Sequence, residues 1–304
     1  MIRSFPMNNM ENRFTLQFEV QQEMLLREAI ALWGISKRTL TAIKFDGGEI
    51  LVNGVERNVR HVVVARDIVT IIFPLEEASD GLAPQYGELT IVYEDEAFLV
   101  IDKPAYMSTI PSREHPDGSV ANFVLGYFQQ KGLPSTVHIV TRLDRDTSGL
   151  LCIAKNRHIH YLMSVAQQQG NVHRQYEAIV SGEAISQSIV EPIGRKETSI
   201  IEREVRQDGQ FAHTDVEVIK YGRLNGCNVS HIRLTLHTGR THQIRVHMAY
   251  VGHPLVGDGL YGGDQQVINR QVLHCVSLTF QHPLTKEVLS FRSELPQELS
   301  NLLK

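Results

Sequence analysis

Short apolar runs bounded by turn residues, many of them joined directly to the next run, constrain this chain more than any other feature. A doubly wound parallel sheet needs a helical crossover between successive strands, so direct joins argue for a mixed, largely antiparallel sheet. EILVNGVE places Asn53-Gly54 at a two-residue hairpin turn, DIVTIIF reads as a further strand, and LTIVYEDEAFLVIDKP reads as two strands joined by a tight acidic turn. Further strands are expected at about 174–180, 214–221 and 228–237, with VLHCVSLTFQHP and EVLSFRS closing the sheet.

Helices are fewer. Met24, Leu25, Ala29 and Leu32 fall at helical spacing within 21–33, with Gly34 as the stop. Ser36 can cap a second helix over roughly 37–44, broken by Asp46-Gly47-Gly48. SVANFVLGYFQQKG, residues of about 156–168, THQIRVHMAYVG up to Gly252 and ELPQELSNLL complete the set. Between Pro74 and Glu88 the acidic, turn-rich PLEEASDGLAPQYGE has no apolar period and reads as a linker. The fold class expected is α+β: a central mixed, largely antiparallel sheet flanked by helices (88–304), preceded by a small α/β domain (1–75) and a linker (76–87).

The 304 residues carry a formal net charge of -4 and a pI near 6.4, which does not announce a nucleic-acid binder. The distribution differs from the total: HIRLTLHTGRTHQIRVH at 231–247 holds Arg233, Arg240, Arg245 and four histidines without one acid. Cys152, Cys227 and Cys275 form no CxxC pair, so neither a zinc ribbon nor a disulfide framework is indicated, and a reduced, cytoplasmic home is expected. The N-terminus lacks the apolar centre of a signal peptide, and no apolar run approaches the ~18 residues a membrane helix needs. A soluble chain without a membrane partner, and a monomer, is the expectation.

Between apolar flanks, VTRLDRDTSGL (140–150) concentrates Arg142, Asp144, Arg145 and Asp146 where small turn residues normally stand. A carboxylate beside guanidinium groups stays ionised, and partial burial makes it a better nucleophile or base than a hydrated one. Taken alone, the same cluster also suits a structural ion-pair network.

RLDRDTSGLL resembles the signature of the RluA-type RNA pseudouridine synthases. So, in the same order, do YEDEAFLVIDKPA (93–105), HRQYEAIVSG (173–182), TGRTHQIRVHMAYVGHPLVGDGLYGG (238–263) and VLHCVSLTFQHP (272–283). SKRTLTAIKFDGGEILVNG (36–54) is similar, more weakly, to an S4 RNA-binding domain. Two residues depart from the family pattern: Thr141 stands where histidine is usual before Arg-Leu-Asp, and Tyr106 where glycine usually follows Asp-Lys-Pro-Ala.

The resemblance implies isomerisation of uridine in RNA to pseudouridine, most readily ribosomal RNA and secondarily transfer RNA. The bond from C1′ to N1 breaks and C1′ rejoins at C5, with no redox change, cofactor or metal. Asp144 is implied as the catalyst, through covalent attack or removal of the C2′ proton. Tyr176 would stack on the flipped base and serve C5 deprotonation, and Arg245 would pair with Asp144. Leu273 matches the apolar residue beneath the tyrosine. Arg142 and Arg145 are implied phosphate or loop contacts, and Arg240 and His242 lie near the start of the Arg245 helix, with His242, Arg245 and Ala249 sharing a face. In the S4-like segment, Lys37, Arg38 and Lys44 would face RNA; a solvated helix face is the competing reading, because residues 1–87 carry nine Lys plus Arg against 11 Asp plus Glu.

A metal held by His237, His242 and His247 is disfavoured, since spacings of five suit neither a strand face nor a helical pair. An idle ribosome-assembly factor and a glycosidase are the rival functions, the second lacking an obvious second carboxylate. Arg245→Met is expected to leave folding nearly intact.

Overall fold

A computed structural model describes residues 2–3, 13–79, 81–112 and 115–302. Its strands form two main sheets. The first runs Ile2–Arg3, Thr15–Glu19, Ile68–Ile72, Glu49–Val52, Val55–Glu56, antiparallel throughout. The second orders Gln187–Val190, His213–Leu224, Cys227–Leu236, Val172–Ser181, Leu273–Gln281, Ser148–Ala154, Phe98–Lys103 and Ile91–Glu94, with His138–Ile139 beside Ser148–Ala154 and Val288–Arg292 beside Leu273–Gln281. Its one parallel pair joins Ser148–Ala154 to Leu273–Gln281, so the sheet is mixed and largely antiparallel. One apolar core runs through both sheets, from Leu16 and Ile71 to Phe98, Leu151 and Phe280.

The second helix, Lys37–Phe45, is capped as its sequence implies, Ser36 Oγ accepting from Thr39 N at 3.1 Å. The first is shorter than its periodicity suggests. Met24 and Leu25 pair as a short strand with Val62–Val63, the helix spans Leu26–Leu32, and its buried face is Leu26, Ala29 and Ile30 while Leu32 is 73% exposed. The strand pairing claims the first apolar pair, which shifts the stripe by one residue.

Residues 76–79 and 81–87 have no regular structure, yet they are held. Gln85 N donates to Asn122 O in the helix Val120–Gln130, and Gly126 of that helix leaves room for this contact: a Cβ there would lie 2.0 Å from Gln85 O. Glu76 accepts from Arg157 N at 2.7 Å and from His138 at 2.5 Å.

The helix Arg157–Gln168 carries His158, 1% exposed, stacked on Phe73 with ring centroids 5.1 Å apart and neither ring nitrogen bonded. Burial pushes its pKa down to about 4. The unfolded chain, with an ordinary imidazole, therefore takes up a proton as pH falls below 6.5 while the folded chain does not until pH 4, so stability is full above 6.5 and declines between them. His158→Leu should abolish about 2 kcal/mol of the loss between pH 7.5 and pH 5 in urea titrations; an unchanged pH dependence would refute that assignment.

Candidate active site

The segment from Val140 to Thr147 leaves the sheet between His138–Ile139 and Ser148–Ala154, and every carbonyl from 143 to 146 is held. Thr109 Oγ1 donates to Leu143 O at 2.6 Å, Thr147 N to Asp144 O at 3.1 Å, Lys103 Nζ to Arg145 O at 3.0 Å and Arg270 to Asp146 O at 3.1 Å. The buried Leu143 roots the loop in the core. Gly149, where the strand resumes, has φ +111°, and a Cβ there would meet the Cys275 backbone at 2.4 Å, so only glycine fits. Such a loop presents the Asp144 side chain on a rigid backbone.

Arg245 meets it from the helix Gln243–Tyr250, donating through one terminal nitrogen to Asp144 Oδ2 at 3.1 Å. The other two guanidinium nitrogens are taken up by Asp258, which accepts from Nε at 2.7 Å and from the second terminal nitrogen at 2.8 Å. Asp258 is 1% exposed and Arg245 8%. Burial opposes the charge of Arg245, but Asp258 and Asp144 outweigh it and hold its pKa above the ordinary value. One planar guanidinium thus joins a fully buried carboxylate to a partly open one, and the bidentate partner fixes the direction of the remaining N–H.

His242 is the residue before the helix, in the left-handed region at φ 57°, rather than on a helical face with Arg245. Its Nε2 nevertheless lies 3.9 Å from Asp144 Oδ2, and its Nδ1 is 2.8 Å from the Tyr261 hydroxyl, whose oxygen accepts from Arg203 N. Burial lowers the His242 pKa, so the ring is neutral. Arg245 also covers the face of Tyr261, its central carbon 4.9 Å from the ring centroid.

A cavity of about 760 Å³ opens over these groups, within the range of sites that take a nucleotide-sized ligand. Asp144, Tyr176, Arg245 and Leu273 all line it, as do Arg142, Arg145, Arg240 and His242. Tyr176 and Leu273 are 4% exposed, on neighbouring strands whose register shifts by a bulge between Gln175 and Tyr176. Burial, reinforced by Cys275, pushes the Tyr176 phenol upward, so its resting state is the neutral ring, suited to stacking rather than to serving as a base in that form. Arg142 is exposed; Arg145 pairs with Asp146 at 3.4 Å, and Arg240 Nε donates to Phe211 O at 2.9 Å. None of these three forms an ion pair with Asp144.

His247 is buried and bonded to Thr214 and Glu191 O, far in role from His242, whereas His237 gathers with His213 around Asp215 at the cavity's edge. Their proximity follows from strand register, which spacing along the sequence does not reveal.

Four groups were not singled out in the sequence. Asp258 and Tyr261 lie inside GHPLVGDGLYGG, Lys103 inside DKP, and Arg174 inside HRQYEA; the motifs were legible, the contacts across them were not. Lys103 is fully buried, donating also to Pro104 O and Met107 O, and burial lowers its pKa to about 7 against the attraction of Asp146 and Asp144. Arg174, two residues before Tyr176 on the same strand face, has a buried Nε without a partner. Thr141 has a structural use: its buried hydroxyl accepts Cys152 N–H at 3.0 Å, closing the start of the loop.

The site thus presents one partly open carboxylate, Asp144, held by a guanidinium and lining a nucleotide-sized cavity together with a buried tyrosine. The RNA pseudouridylate synthase family matches residues 97–250, and the chain belongs to it. It is similar to the uncharacterized RNA pseudouridine synthase YjbO of Bacillus subtilis (48% identity over 92% of this chain and 99% of that one). It is also similar to the ribosomal large subunit pseudouridine synthase D of Vibrio vulnificus (36%, 84% of this chain and 82% of that one). Among solved structures, human RNA pseudouridylate synthase domain containing 1 superposes with a TM-score of 0.57 at 26% identity, covering 72% of this chain and 86% of that chain. The protein is an isomerase that converts uridine in RNA to pseudouridine. No helix among the described residues is long and apolar enough to cross a membrane.

Proposed function

We propose that the substrate is ribosomal RNA and that Asp144 is the catalytic carboxylate. The observation that carries the second point is the Asp144–Arg245–Asp258 arrangement: it holds one carboxylate oxygen by a charge-assisted hydrogen bond and leaves the rest of the group, 26% exposed, facing the cavity. A uridine flipped into the cavity is read and held by stacking and by donors to its edge, so Tyr176 and Leu273 form the apolar wall and Arg174, which also lines the cavity, brings a cation to that wall. Asp144 then attacks C1′, or removes the C2′ proton, as the C1′–N1 bond breaks; the uracil turns, C1′–C5 forms as the Asp144–C1′ bond breaks or the proton returns to C2′, and the proton lost from C5 is balanced by one gained at N1. Fixing both partners lowers the entropic cost of rejoining them. His242, with Nε2 3.9 Å from Asp144 Oδ2, borders the carboxylate.

The ribosomal assignment follows the relative named above as a ribosomal large subunit pseudouridine synthase. The N-terminal unit, read as an S4-like RNA-binding domain (1–75) joined through 76–87 to the catalytic domain (88–304), supports it. Lys37, Arg38 and Lys44 are exposed and, among the described residues, form no ion pair, and Lys44 lies 4.8 Å from the ring centroid of Phe45, itself 73% exposed. A basic, aromatic helix face of this kind suits a phosphate backbone. Changing all three to alanine should weaken RNA binding and reduce the slope of log K against log salt by roughly 2 to 3; an unaltered slope would remove that face from the interface.

Release of tritium from bacterial ribosomal RNA labelled at C5 of uridine tests the reading. Wild-type protein should release it stoichiometrically with pseudouridine formed, whereas release only from transfer RNA, or of free uracil, would overturn it.

A further inference from the structure

Tyr106 has φ +64°, in the left-handed region that a bulky side chain occupies only against a penalty, and its ring is 53% exposed, so no packing compensates. Among the described residues its hydroxyl has no hydrogen-bond partner. The turn that carries it is fixed at both ends to the residues on either side of Asp144. Lys103 Nζ holds Arg145 O together with Pro104 O and Met107 O, while Thr109 Oγ1 both donates to Leu143 O and accepts from Leu143 N. Three residues from each anchor, Tyr106 can stand no more than about 11 Å along the chain from either. The same segment continues into the cavity wall through Ser108, Thr109 and Ile110, with Ile110 46% exposed.

An aromatic ring held in a strained backbone, kept out of the core and bolted to the frame of the catalytic loop is a surface preorganised for a flat, apolar ligand. On that basis, and resting on the RNA-isomerase reading above, we propose that Tyr106 is a second nucleobase site: it stacks on an unpaired base flanking the target uridine, outside the cavity that receives the flipped one. Stacking is insensitive to base identity and adds binding without touching the reacting atoms. The residue is therefore a positioning and affinity element, not a catalytic one.

Asn tolerates the left-handed backbone without supplying a ring, and Phe supplies the ring without the hydroxyl. Tyr106→Asn should keep its melting temperature within about 2 °C of wild type. It should also bind a large-subunit ribosomal RNA transcript about tenfold more weakly and raise KM to match, with kcat unchanged. Tyr106→Phe should restore both. Equal affinity of the wild-type and Asn proteins for the transcript, or a loss that Phe does not rescue, would overturn the stacking site alone. Wild-type protein that fails to bind the transcript would overturn it together with the ribosomal reading.

Discussion

Asp144→Asn should leave the fold in place and slow conversion of uridine in RNA by roughly 10⁴-fold or more, the scale seen when a group that takes part in bond making is removed. The amide has the shape of the carboxylate, and the contacts that set the loop are to its backbone, through Thr109, Thr147, Lys103 and Arg270. Arg245 keeps its two bonds to Asp258. What the amide lacks is the negative charge to attack carbon or accept a proton. Single-turnover rates with saturating protein, alongside melting curves, separate chemistry from binding; an Asn protein that turns over at the wild-type rate would refute Asp144 as the catalyst.

The second large effect concerns the partner of that carboxylate, and it corrects an expectation drawn from sequence. Arg245→Met removes the Asp144 bond, but it also strands Asp258, a carboxylate 1% exposed whose two oxygens are both bound to Arg245. Leaving one member of a buried pair uncompensated costs about 3–5 kcal/mol, so this variant should be markedly destabilised rather than nearly intact. Adding Asp258→Leu should recover most of the stability, because two apolar residues replace the pair, yet turnover should stay depressed by about 10² or more since Asp144 remains unheld. Urea denaturation of wild type, single and double variants, with single-turnover rates for each, resolves the two effects. A stable Arg245→Met single variant would show that Asp258 does not depend on Arg245. Recovery of turnover in the double variant would show that Asp144 does not.

The antiparallel character of the sheet, the Ser36 cap and the candidates Asp144, Tyr176 and Arg245 were legible because each rests on local pattern or on a contiguous motif. What was not legible depends on contacts between segments distant in sequence. Asp258 is 13 residues beyond Arg245, and only the path of the chain after the helix brings it back beneath the guanidinium. The strands Ile193–Arg195 and Arg203–Val205 are three residues each, too short to show alternation, although Arg203 N binds the Tyr261 hydroxyl, which in turn contacts His242. At the start of the first helix, strand pairing with Val62–Val63 overrides the helical spacing of Met24 and Leu25. Tyr106 shows the reverse case: a departure from a familiar motif became informative once its backbone angle was known.

The most direct test of the account is a map of pseudouridines in ribosomal and transfer RNA from cells lacking this protein, complemented with wild type or with Asp144→Ala. Pseudouridine at one or more large-subunit ribosomal positions should disappear on deletion, return with wild type and stay absent with Asp144→Ala. Restoration by Asp144→Ala, or an unchanged map on deletion, would contradict it.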